Sequence, residues 1–203
     1  MPRKAFEEHA ARLFGGPLRH PVFYSCPHAL RFQLEPDPNA VDLPGALERA
    51  MEIYRRLPGR PTLLRLDVLT DAPRYPRTIR RRVEALCRAA RIAGPCEITG
   101  VQVPIDGEES WRYTAWYWRL DDRFRPELLL RKVVQKDFSS HSLPFEAFLL
   151  DEAHDVLYHP YDDRGADVAA ADARILLPLY RALNPWLLDY DRERMDEVFG
   201  ELR

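Results

Sequence analysis

Lysine is almost missing from this chain: of 30 basic residues only Lys4, Lys132 and Lys136 are lysines, and the rest are arginine. A preference on this scale reads as the base composition of the encoding genome and points to no activity. Cysteine is scarce too. Cys26, Cys87 and Cys96 are odd in number and form no Cys-x-x-Cys pair, which argues against a disulfide framework in a chain of 203 residues and sets the expectation of a reducing, cytoplasmic compartment. No apolar run approaches the ~18–20 residues of a membrane span, so no membrane contact is expected. The opening residues Met1-Pro2-Arg3-Lys4-Ala5-Phe6-Glu7-Glu8 lack the apolar core of a secretory signal. The phosphate-binding pattern Gly-x-x-x-x-Gly-Lys-Ser/Thr is absent, as is any Gly-Lys pair. No repeat or low-complexity linker interrupts the chain, and residues 1–203 are expected to form a single globular domain.

What is present is enough for a sizeable core. Hydrophobic residues make up 46% of the chain and charged residues 31%, with a formal net charge of -2. The small net charge hides an asymmetry. Residues 1–100 carry 17 Lys+Arg against 11 Asp+Glu, or +6, and residues 101–203 carry 13 against 21, or -8. Each half can steer a partner of opposite sign.

Hydrophobic spacing predicts helices at about 4–14, 44–57, 78–92, 126–137, 171–182 and 191–202. In the second, Leu47, Ala50, Met51, Tyr54 and Leu57 share one face; in the third, Ile79, Val83, Leu86 and Ala90 do. Strands are predicted at 30–34, 62–69, 96–105, 111–120, 145–150, 156–161 and 166–169, and Pro21 to Pro27 reads as an extended loop. The polar loop Asp106-Gly107-Glu108-Glu109-Ser110 would close one hairpin, and residues 145–169 form another. Hairpins imply antiparallel pairing. The expected class is therefore α+β, a mixed, largely antiparallel sheet with helices packed against it and two C-terminal helices.

Few residues point to chemistry. Asp151-Glu152-Ala153-His154 spells a helicase box, but without a P-loop it reads as a hairpin turn. Asp162-Asp163-Arg164-Gly165 is turn chemistry in its plain reading. In its functional reading, Asp162, Asp163 and Asp167 offer oxygen ligands for a divalent cation, with His159 as a further ligand or base and Arg164 facing a phosphate or carboxylate. Ser139-Ser140-His141 has no Gly-x-Ser-x-Gly elbow behind it. Arg74, Arg77, Arg80, Arg81, Arg82, Arg88 and Arg91 surround the 78–92 helix and could lie on phosphates, or could be that helix's wet face. Trp111, Tyr113, Trp116, Tyr117 and Trp118 place aromatics on both faces of one strand.

Two C-terminal segments, Tyr161-Asp162-Asp163-Arg164-Gly165-Ala166-Asp167-Val168 and Trp186-Leu187-Leu188-Asp189-Tyr190-Asp191-Arg192, resemble the signature of a bacterial family catalogued as a domain of unknown function and numbered 3885. Phe23-Tyr24 to Leu34, Ala50 to Tyr54, and Asp137-Phe138 to Val168 are similar to it as well. The stretch from about 70 to 115 matches poorly. The resemblance implies a bacterial, stand-alone, soluble protein of about this length. It carries over no catalytic residue, and where the family often has Cys this chain has Ala166, so no thiol role is implied there.

Three functions follow as expectations. The first is a non-catalytic binding protein of an immunity or antitoxin kind, meeting a protein partner of basic character and needing no cofactor. Its surface would be residues 146–172, which hold eight Asp+Glu and one Arg, with Tyr158, His159, Tyr161, Asp162, Asp163, Arg164 and Asp167 as the binding residues. The second is a metal-assisted hydrolase built on Asp162, Asp163 and Asp167. The third is nucleic-acid binding through helix 78–92, against which the acidic second half argues.

Overall fold

The structure is a computed structural model, and it describes residues 1–37, 40–69, 76–94, 96–104, 110–138 and 143–202. A seven-stranded sheet runs in the order β1-β7-β6-β5-β2-β4-β3, with every described ladder antiparallel. The strands are β1 (Ala29–Gln33), β2 (Leu63–Leu69), β3 (Glu97–Pro104), β4 (Ser110–Arg119), β5 (Phe145–Asp151), β6 (Val156–Pro160) and β7 (Gly165–Ala170). The helices are α1 (Pro2–Phe14), α2 (Val22–Ser25), α3 (Leu43–Arg55), α4 (Pro76–Ala89), α5 (Pro126–Val134), α6 (Ala173–Ala182) and α7 (Arg192–Phe199). The expected α+β class with two C-terminal helices is the observed one. Residues 106–109 of the predicted polar loop, Ser139 to His141, and Arg74 lie outside the described residues, as do the side chains of Arg77, Trp111 and Tyr113.

Alternation along the strands gives the sheet two different faces. Leu64, Leu66 and Val68 of β2, Trp116 and Trp118 of β4, and Leu149 of β5 lie on one face. That face is apolar and packs under α3, α4 and α5. Tyr158 belongs to it, and its hydroxyl donates to the Ala50 carbonyl of α3 at 2.9 Å. Helix α4 buries Val83, Leu86 and Cys87, and Ala90 is buried just past its end, as the spacing requires. Helix α3 buries Ala46, Ala50 and Ile53; of the face predicted for it, Ala50 and Leu57 are buried, and Leu47, Met51 and Tyr54 are partly buried against the core. Small residues let α3 sit close to the sheet, while Leu47 and Met51 turn sideways toward α5.

The other face carries Arg65 and Asp67 of β2, Tyr117 of β4, Phe148 and Glu146 of β5, His159 of β6, Asp167 of β7 and Arg31 of β1. Helix α1 covers the β2–β4 end of it with Phe6, Ala10, Leu13 and Phe14, all buried. Each fully buried Leu or Phe contributes about 1.5–3 kcal/mol, so this one helix is a firm lid. Gly15 closes α1 at φ 64°, a left-handed position that glycine takes without strain. Helix α2 covers the β7–β1 end. Here the extended loop predicted for Pro21–Pro27 is corrected to a short helix. It forms because Val22 and Phe23 bury and the Phe23 N–H finds the Asp167 carboxylate at 3.0 Å.

The C-terminal segment seals the sheet edge at β1. Leu187 bridges to Phe32, and the Leu188 N–H donates to the Arg31 carbonyl at 2.9 Å. An edge strand covered in this way offers no template for pairing with another chain.

Candidate functional site

A band of ionisable side chains crosses the sheet beneath α1 and α2. Its β1–β7 end is a pair. The Arg31 Nε donates to Asp167 Oδ1 at 2.8 Å and its Nη2 to Asp167 Oδ2 at 3.1 Å. Arg31 Nη1 reaches Asp191 at 3.3 Å, and Asp191 accepts from the Tyr24 hydroxyl at 2.8 Å. The rings of Phe23 and Tyr24 lie 4.9 and 4.8 Å from the guanidinium carbon. Burial pushes the Asp167 carboxyl above its usual range, and the Arg31 bonds pull it back.

The β2 end repeats the design. Arg65 grips Asp67 with Nε at 2.6 Å and Nη2 at 2.8 Å, and reaches Glu7 of α1 at 3.1 Å. Glu7 also accepts from the Tyr117 hydroxyl, so the lid helix is bolted to the sheet by its one acid on this side. Two charged residues spaced i, i+2 in an otherwise apolar strand, as Arg65 and Asp67 are, share a face and pair there.

Between these ends sits His159. Its Nδ1 lies 3.1 Å from the Ala147 carbonyl, which fixes the proton on that nitrogen, and its ring stacks on Phe148 at 4.3 Å. Burial holds its pKa well below the usual histidine value, with His20 adding to the effect. The ring is therefore neutral, and its 3.7 Å approach to Glu146 Oε2 is not an ion pair. Burial raises the Glu146 carboxyl against the pull of Lys136, whose Nζ is 2.7 Å away. The His20 ring completes the group, 5.1 Å from Phe148 and 5.7 Å from His159.

The predicted site residues thus divide. His159, Tyr161 and Asp167 share this face, and Tyr158 lies on the opposite one. Asp162 is taken up by its own turn: it accepts from the Arg164 N–H at 2.8 Å, the Gly165 N–H at 3.3 Å and the Arg164 guanidinium. The structure does not bring Asp167 into a cation group with Asp162 and Asp163. Asp137 takes that place, with one oxygen from each of Asp137, Asp162 and Asp163 within 4.8 Å of one another. Burial raises the Asp163 carboxyl, and burial and Asp163 raise that of Glu35. In the Asp151–His154 turn, Asp151 accepts from the Ala153 N–H at 3.0 Å and pairs with His154 at 2.6 Å.

The exposed acidic surface expected over 146–172 is corrected. Asp151, Asp162, Asp163 and Asp167 are all buried; Asp151 and Asp162 are held within their own turns, and Asp167 by Arg31 of the neighbouring strand. One group of accessible acids lies on the C-terminal segment. Asp189, Glu193, Asp196, Glu197 and Glu201 are exposed, and among the described residues Glu193, Glu197 and Glu201 have no ion pair. Beside them Tyr190 is 87% exposed and Tyr24 44% exposed. Sequence reasoning missed these residues, although Glu193 and Glu197 at i, i+4 were a legible stripe of like charge.

The family model described as "Domain of unknown function (DUF3885)" matches residues 6–191. No curated protein and no solved structure matches the chain.

Proposed function

We propose that this chain, which belongs to the DUF3885 family, is a protein-binding module that meets a basic partner through its C-terminal face. The surface is formed by Tyr24, Asp189, Tyr190, Glu193 and Glu197. The observation that carries the reading is the charge arrangement of α7. Glu193 and Glu197 stand one helical turn apart with the same sign, which opposes helix formation by about 0.2–0.5 kcal/mol. No basic residue occupies the last turn of α7, where a cation would complement the helix dipole. Both features work against the isolated helix, and both become favourable when a basic surface docks on it.

Two aromatics supply the rest of the contact. Tyr24 is held by its bond to Asp191, so it offers a rigid ring at small entropic cost. Tyr190 is open to solvent in the turn that precedes α7. The buried polar band plays the supporting part, since Asp191, Arg31 and Asp167 fix α2 and the C-terminal segment against the sheet.

The test uses three tagged chains side by side against extract of the native cells: the wild type, a Tyr190→Ala/Glu193→Lys/Glu197→Lys variant and an Asp162→Asn/Asp163→Asn variant. A basic protein retained in near 1:1 ratio by the wild type and the Asp variant, and lost by the C-terminal variant, supports the reading. Loss with the Asp variant alone overturns it.

A further inference from the structure

A pocket of about 580 Å³ opens between α3, the end of α6 and the short turn Asn184–Trp186. That volume lies within the ~300–1,000 Å³ of small-molecule sites. Pro36, Leu183, Pro185 and Trp186 give it an apolar wall, and Arg49 of α3 lines it as well. The Arg49 guanidinium carbon lies 5.2 Å from the centre of the Trp186 ring. Its Nη1 donates to the carbonyls of Gln33 and Glu35, each at 3.2 Å, so the group is held in place and Nη1 is satisfied.

The rest of this guanidinium is unanswered. Among the described residues, three other arginines are withdrawn from full exposure, Arg31, Arg65 and Arg192, and each has a carboxylate within reach. Arg31 and Arg65 hold theirs in one manner: Nε and Nη2 form a side-on fork around an aspartate. At Arg49 the same edge is open. Its Nε and Nη2 meet no acceptor among the described residues, and neither is sealed from solvent. Burial lowers the Arg49 pKa against the pull of Asp42, which is itself occupied as acceptor for the Gly45 N–H at 3.0 Å. Of the other acids lining the pocket, Glu52 is taken by Arg56 at 2.6 Å and Arg55 at 3.5 Å, and Glu48 is exposed.

We propose that this pocket binds a small monocarboxylate with an apolar body. Its two oxygens take the place at Arg49 Nε and Nη2 that Asp167 takes at Arg31 and Asp67 takes at Arg65. Its body lies along Pro36, Leu183, Pro185 and Trp186. The fork selects the group, since two parallel donors in one plane match the two oxygens of a planar carboxylate. Charge selects the number: Asp42 and Glu48 oppose a second anionic group on the ligand. An ammonium in place of the carboxylate meets Arg49 with the wrong sign. None of Tyr24, Asp189, Tyr190, Glu193 and Glu197 lines the pocket, so the site stands or falls independently of partner binding.

The experiment is a proton–nitrogen correlation spectrum of the arginine Nε–H groups of the whole chain, titrated with hexanoate. The Arg49 signal is assigned by its loss in Arg49→Lys. The expected result is a saturable downfield shift of that signal. Adipate, the same chain with a second carboxylate, binds more weakly, and hexylamine leaves the signal in place. Because Arg49 also holds the end of β1, a second variant leaves it untouched: Pro185→Glu sets an acid on the exposed rim of the pocket. It weakens hexanoate binding by about tenfold or more, the scale of one hydrogen bond to a charged group. An Arg49 signal that does not move at millimolar hexanoate overturns the proposal. So does an equal response to hexylamine, an equal affinity for adipate, or wild-type affinity in Pro185→Glu.

Discussion

Arg31 and Asp167, neighbours across the β1–β7 ladder and 136 residues apart in sequence, are joined by two parallel hydrogen bonds in the covered face of the sheet. The pair does more than neutralise two charges. Asp167 also accepts from the Phe23 N–H and so starts α2, while Arg31 reaches Asp191 and so anchors the segment leading into α7. One ion pair holds both sides of the surface assigned to partner binding.

Replacing Arg31 with Met should therefore be severe. It leaves Asp167 and Asp191 buried without their cation, a situation that costs about 3–5 kcal/mol. Chemical denaturation followed by circular dichroism measures it. A loss below about 1 kcal/mol would mean that the carboxylates reach water and that the band is not sealed.

Gly165 cannot accept a side chain while Tyr161 keeps its position, because a Cβ there runs into the Tyr161 ring and hydroxyl. Gly165→Ala should cost about 1–3 kcal/mol, the range for overpacking a filled site. Since the clash is with one flexible side chain, Tyr161→Leu should relieve part of it. A double-mutant cycle should give a coupling of about 1 kcal/mol or more. Additive effects would refute the contact.

His159 gives stability a pH dependence whose sign is fixed. Its folded pKa is depressed by burial, so below the unfolded value near 6.5 only the unfolded chain takes up the proton. Its contribution is complete above that pH and declines as pH falls through it. Between pH 7.5 and 5.5 the wild type should lose about 1 kcal/mol more than His159→Asn, which keeps a donor for the Ala147 carbonyl. Equal pH slopes for the two chains would show that His159 titrates normally.

Glu193→Lys/Glu197→Lys should change thermal stability by less than about 1 kcal/mol, because it exchanges one like-charge pair for another and sets an unfavourable cation in the first turn of α7 against a favourable one in the last. A variant that is as stable as the wild type and has lost its partner separates function from folding. Strong destabilisation would mean that these glutamates serve the fold.

Much of the architecture was legible because it is local. Val83, Leu86 and Ala90 declare the buried side of α4, and Leu64, Leu66 and Val68 declare one face of β2. The hairpin turns at Asp151–His154 and Asp162–Gly165 were legible from turn chemistry alone. The site was not, for a physical reason. Charges were counted segment by segment, so the acids of 146–172 looked like a surface. Cations that meet them, Arg31 at Asp167, Arg119 at Glu152 and Arg12 at Asp155, come from other parts of the chain, and no local pattern joins Arg31 to Asp167. Alternation in β6 does separate Tyr158 from His159, and that spacing alone divides the candidate residues between the two faces of the sheet. The short α2 was hidden because it depends on a carboxylate 144 residues away.

The most direct test is hydrogen exchange of the chain with and without its captured basic partner. The account expects new protection confined to residues 20–26 and 186–201, with 146–172 unchanged because those strands are already buried. Protection appearing instead over α4 at 76–89, or over 146–172 alone, would contradict it.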